Sequence, residues 1–153
     1  MRATIRNAIR VAEGVGDVNI WAQNLSQIFD GGNCCLWKGP GVPNKGTVHG
    51  DLAANAPEYT TYAAQPVTVN NSIITRADGS KVIQSDPAEF DVTTPHDPPD
   101  LVTAVIWQAD AESSLVLIFL LPQPIRVRLA GQSIFATLVI NLTTGLPECV
   151  MEW

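Results

Sequence analysis

Few residues of this 153-residue chain have the types and spacing that chemistry requires. His49 and Asp51 could join Ser72, Ser85 or Ser133 in a Ser-His-Asp set. There the imidazole would take the hydroxyl proton and the carboxylate would orient the ring. None of the three serines sits in a G-x-S-x-G turn, however. His96, Asp97 and Asp100 offer nitrogen and oxygen donors to a metal, but three prolines surround them and the stretch reads as a solvated acidic loop. Paired carboxylates for glycoside hydrolysis need a set separation across a rigid cleft. The acidic residues here alternate outward on strands and loops instead. "GGNCC" and "GPG" lack the lysine or helix start of a phosphate-binding loop. The expectation is a protein without catalytic residues, metal or cofactor.

The cysteines point the same way. Cys34, Cys35 and Cys149 form no C-x-x-C pair and have no matching histidines, whereas zinc needs about four convergent ligands. Adjacent residues of a strand face opposite ways, and an odd count argues against a disulfide framework. Buried free thiols are expected, with a bridge from Cys34 or Cys35 to Cys149 as the alternative.

Charged residues are only 16% and hydrophobic ones 46%, enough for one domain with its own core and too apolar for disorder. A net charge of −6 disfavours general nucleic-acid binding, which needs a basic surface. The run "SLVLIFLLP" (114–122) is shorter than the roughly 20 residues of a membrane-spanning helix, and no continuous apolar core follows the first arginines. Neither export nor membrane insertion is predicted.

From Asn33 onward the chain reads as strands and turns. Ala88, Phe90 and Val92 alternate with Glu89, Asp91 and Thr93, and Asp78-Gly79 marks a hairpin. "LVTAVIWQAD" and "SLVLIFLLP" are apolar on both faces and should be central. "PIRVRLAG" and "QSIFATLVINL" follow, and "CVMEW" supplies a final edge strand or an extension. Short strands at regular spacing predict an all-β, jelly-roll-like sandwich over residues 33–153.

Residues 1–32 form an N-terminal arm, read as helical or extended. Arg2, Arg6 and Arg10 precede the first acidic residue, and a spacing of four puts them on one helical stripe beside Ile5 and Ile9. "VNIWAQNLSQIF" continues with Trp21 at helix-like spacing. A basic arm on an acidic body suits docking onto a neighbouring copy or an acidic partner. Arg2, Ile5, Arg6, Ile9, Arg10 and Trp21 are the candidate contacts.

The order of motifs over residues 34–142 resembles small β-sandwich virion proteins of tailed bacteriophages, the capsid decoration or cement type. The marks are Leu36-Trp37 at a strand end, then Gly50-Asp51-Leu52 before Tyr59, Tyr62 and Ala63. Asp86-Pro87-Ala88 with Phe90 follows, and Pro124-Ile125, Ala130-Gly131-Gln132, Ile134 and Leu138 close the pattern. Each motif is loose alone; their order carries the resemblance. It implies a non-enzymatic building block, trimeric, without cofactor, on the capsid surface and bound to the major capsid protein. The arm and "ECVMEW" fall outside the pattern. A tail, baseplate or fibre-base component is the alternative, and a carbohydrate-binding sandwich the rival from another class. On this reading "GDLAANAPEYTTYAAQPVTV" (50–69) is a strap across the end of the sandwich, with the Tyr59 and Tyr62 hydroxyls at the rim.

Overall fold

The computed structural model describes residues 1–6, 8–11, 28–44, 47, 49–109 and 116–153. Among them are strands β1 (Arg2–Ile5), β2 (Ala8–Val11), β3 (Asn33–Trp37), β4 (Gln65–Pro66), β5 (Val69–Thr75) and β6 (Lys81–Ser85). Strands β7 (Ala88–Asp91), β8 (Asp100–Gln108), β9 (Val116–Val127), β10 (Ser133–Asn141) and β11 (Leu146–Glu152) follow. One helix, α1 (His49–Ala54), lies between β3 and β4. The strands form two antiparallel sheets. The first runs β1-β11-β10-β6-β5, with β7 also on β10; the second runs β2-β9-β8-β3-β4. The chain is an all-β sandwich.

Period-two alternation builds the core. Ile134, Ala136, Leu138 and Ile140 of β10 all point into one inter-sheet cluster with Phe90, Val105, Trp107, Phe119, Cys149 and Met151. Burying such side chains contributes about 1.5–3 kcal/mol each, so this cluster dominates stability. Cys34 enters it, whereas its neighbour Cys35 belongs to a second apolar cluster with Trp37, Leu52, Ala104, Ile106 and Ile118. The adjacent cysteines therefore face opposite ways. All three cysteines are free and buried.

Several expectations are narrowed or corrected. First, of the helical and extended readings of the N-terminal arm, the extended one holds at residues 2–5 and 8–11, which are strands: β1 pairs with β11 at the edge of the first sheet, and β2 with β9 at the edge of the second. The expected arm thus gives one strand to each sheet, and Thr4, Ile5, Ile9 and Val11 are β-branched residues suited to that. Second, "SLVLIFLLP" and "PIRVRLAG" join into the single strand β9. Val102 pairs with Ile125 and Ala104 with Leu120, so Thr103 faces the bulged residues 121–124. Pro122 and Pro124 lack donors and fall in that bulge, where no ladder is broken. Third, β11 is covered by β1 and is no edge. Fourth, the strap opens with the helix α1, which the sequence reading did not place.

Residues 49–69 do form a strap, and its bonds show what it mends. β4 is two residues long and pairs only with Asn33 and Cys34 of β3. Beyond it the Tyr62 hydroxyl accepts from Leu36 N at 3.0 Å and approaches Leu36 O at 3.4 Å. Further along, Asn55 O accepts from Lys38 N at 2.7 Å. Tyr62 stacks on Phe90 of the opposite sheet at 6.1 Å and an interplanar angle of 7°. The Tyr59 hydroxyl is buried without a hydrogen-bond partner among the described residues. The Tyr59 hydroxyl therefore lies inside, not at the rim, while that of the half-buried Tyr62 meets the backbone of β3. The Tyr62 phenol replaces the missing strand partner of Leu36.

Candidate functional site

The groups that sequence reasoning singled out for catalysis are not brought together. Ser85 is buried and its hydroxyl accepts from Leu138 N at 3.0 Å, bridging the kink between β6 and β7 on the side of β10. Ser133 donates to Asp91 Oδ1 at 2.7 Å. Ser72 lies in the β5 bulge, where its N–H donates to Asn70 Oδ1 at 3.0 Å. His49 instead meets Gln108, with Nδ1 3.0 Å from Gln108 Nε2, and Gln108 Oε1 lies 3.5 Å from Cys35 Sγ. These side chains, with Asn33, Leu52 and Tyr62, line a hollow of about 320 Å³ beneath α1. Burial pushes the Cys35 thiol up to about 11 and the Cys149 thiol up to about 12. Neither is a thiolate near neutral pH, the form nucleophilic chemistry requires.

The acidic loop is likewise structural. Asp100, 1% exposed, accepts the N–H of Glu58 at 2.9 Å and of Tyr59 at 3.0 Å through Oδ2. Its Oδ1 lies 3.3 Å from His96 Nε2 and 3.4 Å from Lys38 Nζ. This carboxylate is compensated by hydrogen bonds and opposite charge, as a buried anion must be. No group of three or more His, Cys, Asp or Glu that could hold a metal ion occurs among the described residues.

The N-terminal candidates converge better. Ile5, Arg6 and Ile9 line a shallow groove of about 430 Å³ together with Thr4, Leu120 and Pro122. Leu120 also belongs to an adjoining hollow of about 260 Å³, where Pro40, Val42, Thr103 and Leu121 are the neighbours. The groove arises from how the chain crosses between sheets. β2 begins at Ala8, opposite Phe119, after the N-terminal chain has passed from the first sheet to the second. From Leu120 onward no strand pairs with that flank of β9 among the described residues, and the bulged residues 121–124 follow. Trp37 Nε1 donates to Gly41 O at 2.8 Å and fixes the loop that presents Val42. Leu120 is 39% exposed and Val42 68%.

Not every candidate belongs to this surface. Ile5 is 8% exposed and packs in the inter-sheet core, so it forms the floor. Arg6 sits on the rim, 3.6 Å from Glu148. Ile9 is half-buried against the second cluster. Arg2 lies elsewhere, in a hollow with Phe135, Glu152 and Trp153, its Nε 3.7 Å from Glu152. The backbone of Arg10 pairs with Leu117, and Trp21 lies outside the described residues. Sequence reasoning missed Leu120, Pro122 and Val42. The available signal was an apolar run leading straight into "PQP", which cannot all be ladder.

No family model, no curated protein and no solved structure matches this chain. No helix among the described residues is long and apolar enough to cross a membrane.

Proposed function

We propose that this chain is a structural protein of a tailed-phage virion, of the capsid-decoration type. It binds the outside of the major capsid lattice and stabilises the head without covalent chemistry. The groove around Leu120 is its docking face. One observation carries this reading: large apolar side chains, Leu120 and Val42, stand in water over two adjoining hollows that Ile9, Pro40 and Pro122 also line. Such a patch rimmed by polar groups is the signature of a contact surface. The rim cation Arg6, 69% exposed, suits an apolar segment flanked by carboxylates on the lattice protein. Single contacts of this size are weak, and a trimer engaging several lattice subunits would multiply them through effective concentration. Binding the assembled shell and not free subunits stabilises the shell by mass action.

The test uses heads of the encoding phage, stripped of accessory proteins, mixed with the purified chain and sedimented. Saturable co-sedimentation is the expected result. Binding to isolated tails but not heads would transfer the same groove to the tail or baseplate reading. Binding to neither, with a hit on a glycan array, would overturn the proposal. Deleting residues 1–30 is no clean control, because it removes β1, β2 and the core side chain Ile5.

A further inference from the structure

An open strand edge pairs with other chains unless charge, proline or short length guards it. Here β1 carries Arg2, β2 carries Arg10, and β7 carries Glu89 and Asp91. β4 is two residues long and ends at Pro66, and the free flank of β9 holds Pro122 and Pro124. β5, the last strand of the first sheet, has none of these guards. It reads VNNSIIT, and no strand pairs with its far flank among the described residues. Ile73 is 60% exposed and Ile74 43%.

A bulge guards only the first half of that edge. Between the pairs Asn70–Gln84 and Ile74–Val82 the ladder shifts register. There the Ser72 N–H is taken by Asn70 Oδ1 at 3.0 Å, and the Val69 N–H by Asp30 Oδ1 at 3.1 Å. The second half is regular. Arg76 N donates to Ser80 O at 2.9 Å, then Thr75 stands opposite Lys81 and Ile74 opposite Val82. In an antiparallel pair the bonding residues alternate, so Ile74 bonds Val82 while the N–H and C=O of Thr75 point to the open flank. Those of Ile73, two residues back, point the same way.

We propose that this edge joins two copies of the chain, β5 to β5, antiparallel about a two-fold axis at Ile74. That register sets Ile73 of each copy opposite Thr75 of the other, and both pairs exchange their backbone bonds. Ile74 meets Ile74 of the second copy at the non-hydrogen-bonded position, where side chains come closest. Self-pairing of this kind is what a two-fold contact requires. Charge favours the same occupant. Copies of a chain of net charge −6 repel, and the stretch 67–75 is free of charge. The contact is small, so the dimer forms only as concentration rises. The inference does not rest on capsid binding; a pair would carry two Leu120 grooves and multiply weak contacts by that route.

Sedimentation velocity of the purified chain over about a hundredfold range of concentration tests it. The mass should rise from one chain toward two. Ile74→Lys sets like charges face to face and should weaken the dimer at least about tenfold. Ile74→Cys should give a disulfide-linked dimer on air oxidation, since the native cysteines are all buried. Leu129→Cys, at an exposed leucine in the turn between β9 and β10, should not. A single chain at every concentration, a mass converging on three chains, a dimer indifferent to Ile74→Lys, or equal cross-linking of the two cysteine variants would each overturn the pairing.

Discussion

Tyr59 and Asp100, 41 residues apart in sequence, are joined by a bond from the Tyr59 N–H to the buried Asp100 Oδ2 at 3.0 Å. The Glu58 N–H meets the same oxygen at 2.9 Å, so one carboxylate fixes the turn that delivers Tyr59 into the core. Asp100→Ala would orphan both donors and release Lys38 and His96. It should destabilise the fold by about 2–4 kcal/mol, read as a lowered urea midpoint at unchanged slope. Asp100→Asn keeps an acceptor and should cost about half as much.

The two tyrosines of the strap should respond oppositely to one substitution. Tyr62→Phe leaves the N–H and C=O of Leu36 without their phenol partner and should cost about 1–3 kcal/mol. Tyr59→Phe removes a buried hydroxyl that has no partner among the described residues, and should stabilise by up to about 1 kcal/mol. Denaturation of both variants checks the pair; equal losses would contradict the placement of the hydroxyls.

Alkali supplies a test with a definite sign. Burial, helped by the negative charges of Asp100 and Asp91, pushes the Tyr59 phenol from 10.0 up to about 12. Folding therefore favours the protonated phenol. This contribution is fully present below pH 10.0 and is lost as pH rises through about 12. Absorbance of phenolate should lag well behind that of free tyrosine and appear together with unfolding.

Gly32 should tolerate no side chain. A Cβ there would stand 2.0 Å from Gln108 O and 2.9 Å from Ala109 O, both backbone atoms. The close approach lets Gly32 O accept from Val67 N at 2.9 Å, which anchors the far end of the strap. Gly32→Ala should cost more than about 3 kcal/mol or prevent folding, whereas Gly41→Ala, in open space, should fall within about 0.5 kcal/mol of the native chain.

How much of this was legible in the sequence depends on range. Alternation was enough to place the core faces of residues 88–92 and 134–140, because period two is a local signal, but it ends before Leu142, which is 41% exposed past the end of β10. The spacing of Arg2, Arg6 and Arg10 suggested one helical stripe, but it carries no signal of the crossing between sheets that puts Arg2 in β1 and Arg10 in β2. The prolines of "LPQP" looked like a strand end, yet a bulge absorbs them and β9 continues. Neither the Asp100–Tyr59 bond nor the Tyr62 phenol at Leu36 has a local signature, since each depends on loop closure over dozens of residues. The groove shares that difficulty: Ile5 and Leu120 meet only once the N-terminal strands are paired.

The claim that the Leu120 groove is the docking face is tested most directly by a binding isotherm on accessory-free heads with three proteins. They are the native chain, Leu120→Asp and a control, Leu129→Asp, whose leucine is 61% exposed away from the groove. The account predicts that Leu120→Asp, folded by circular dichroism, binds at least about tenfold more weakly, the scale of a central interface residue, while Leu129→Asp matches the native chain. Equal affinity of Leu120→Asp and the native protein would contradict it.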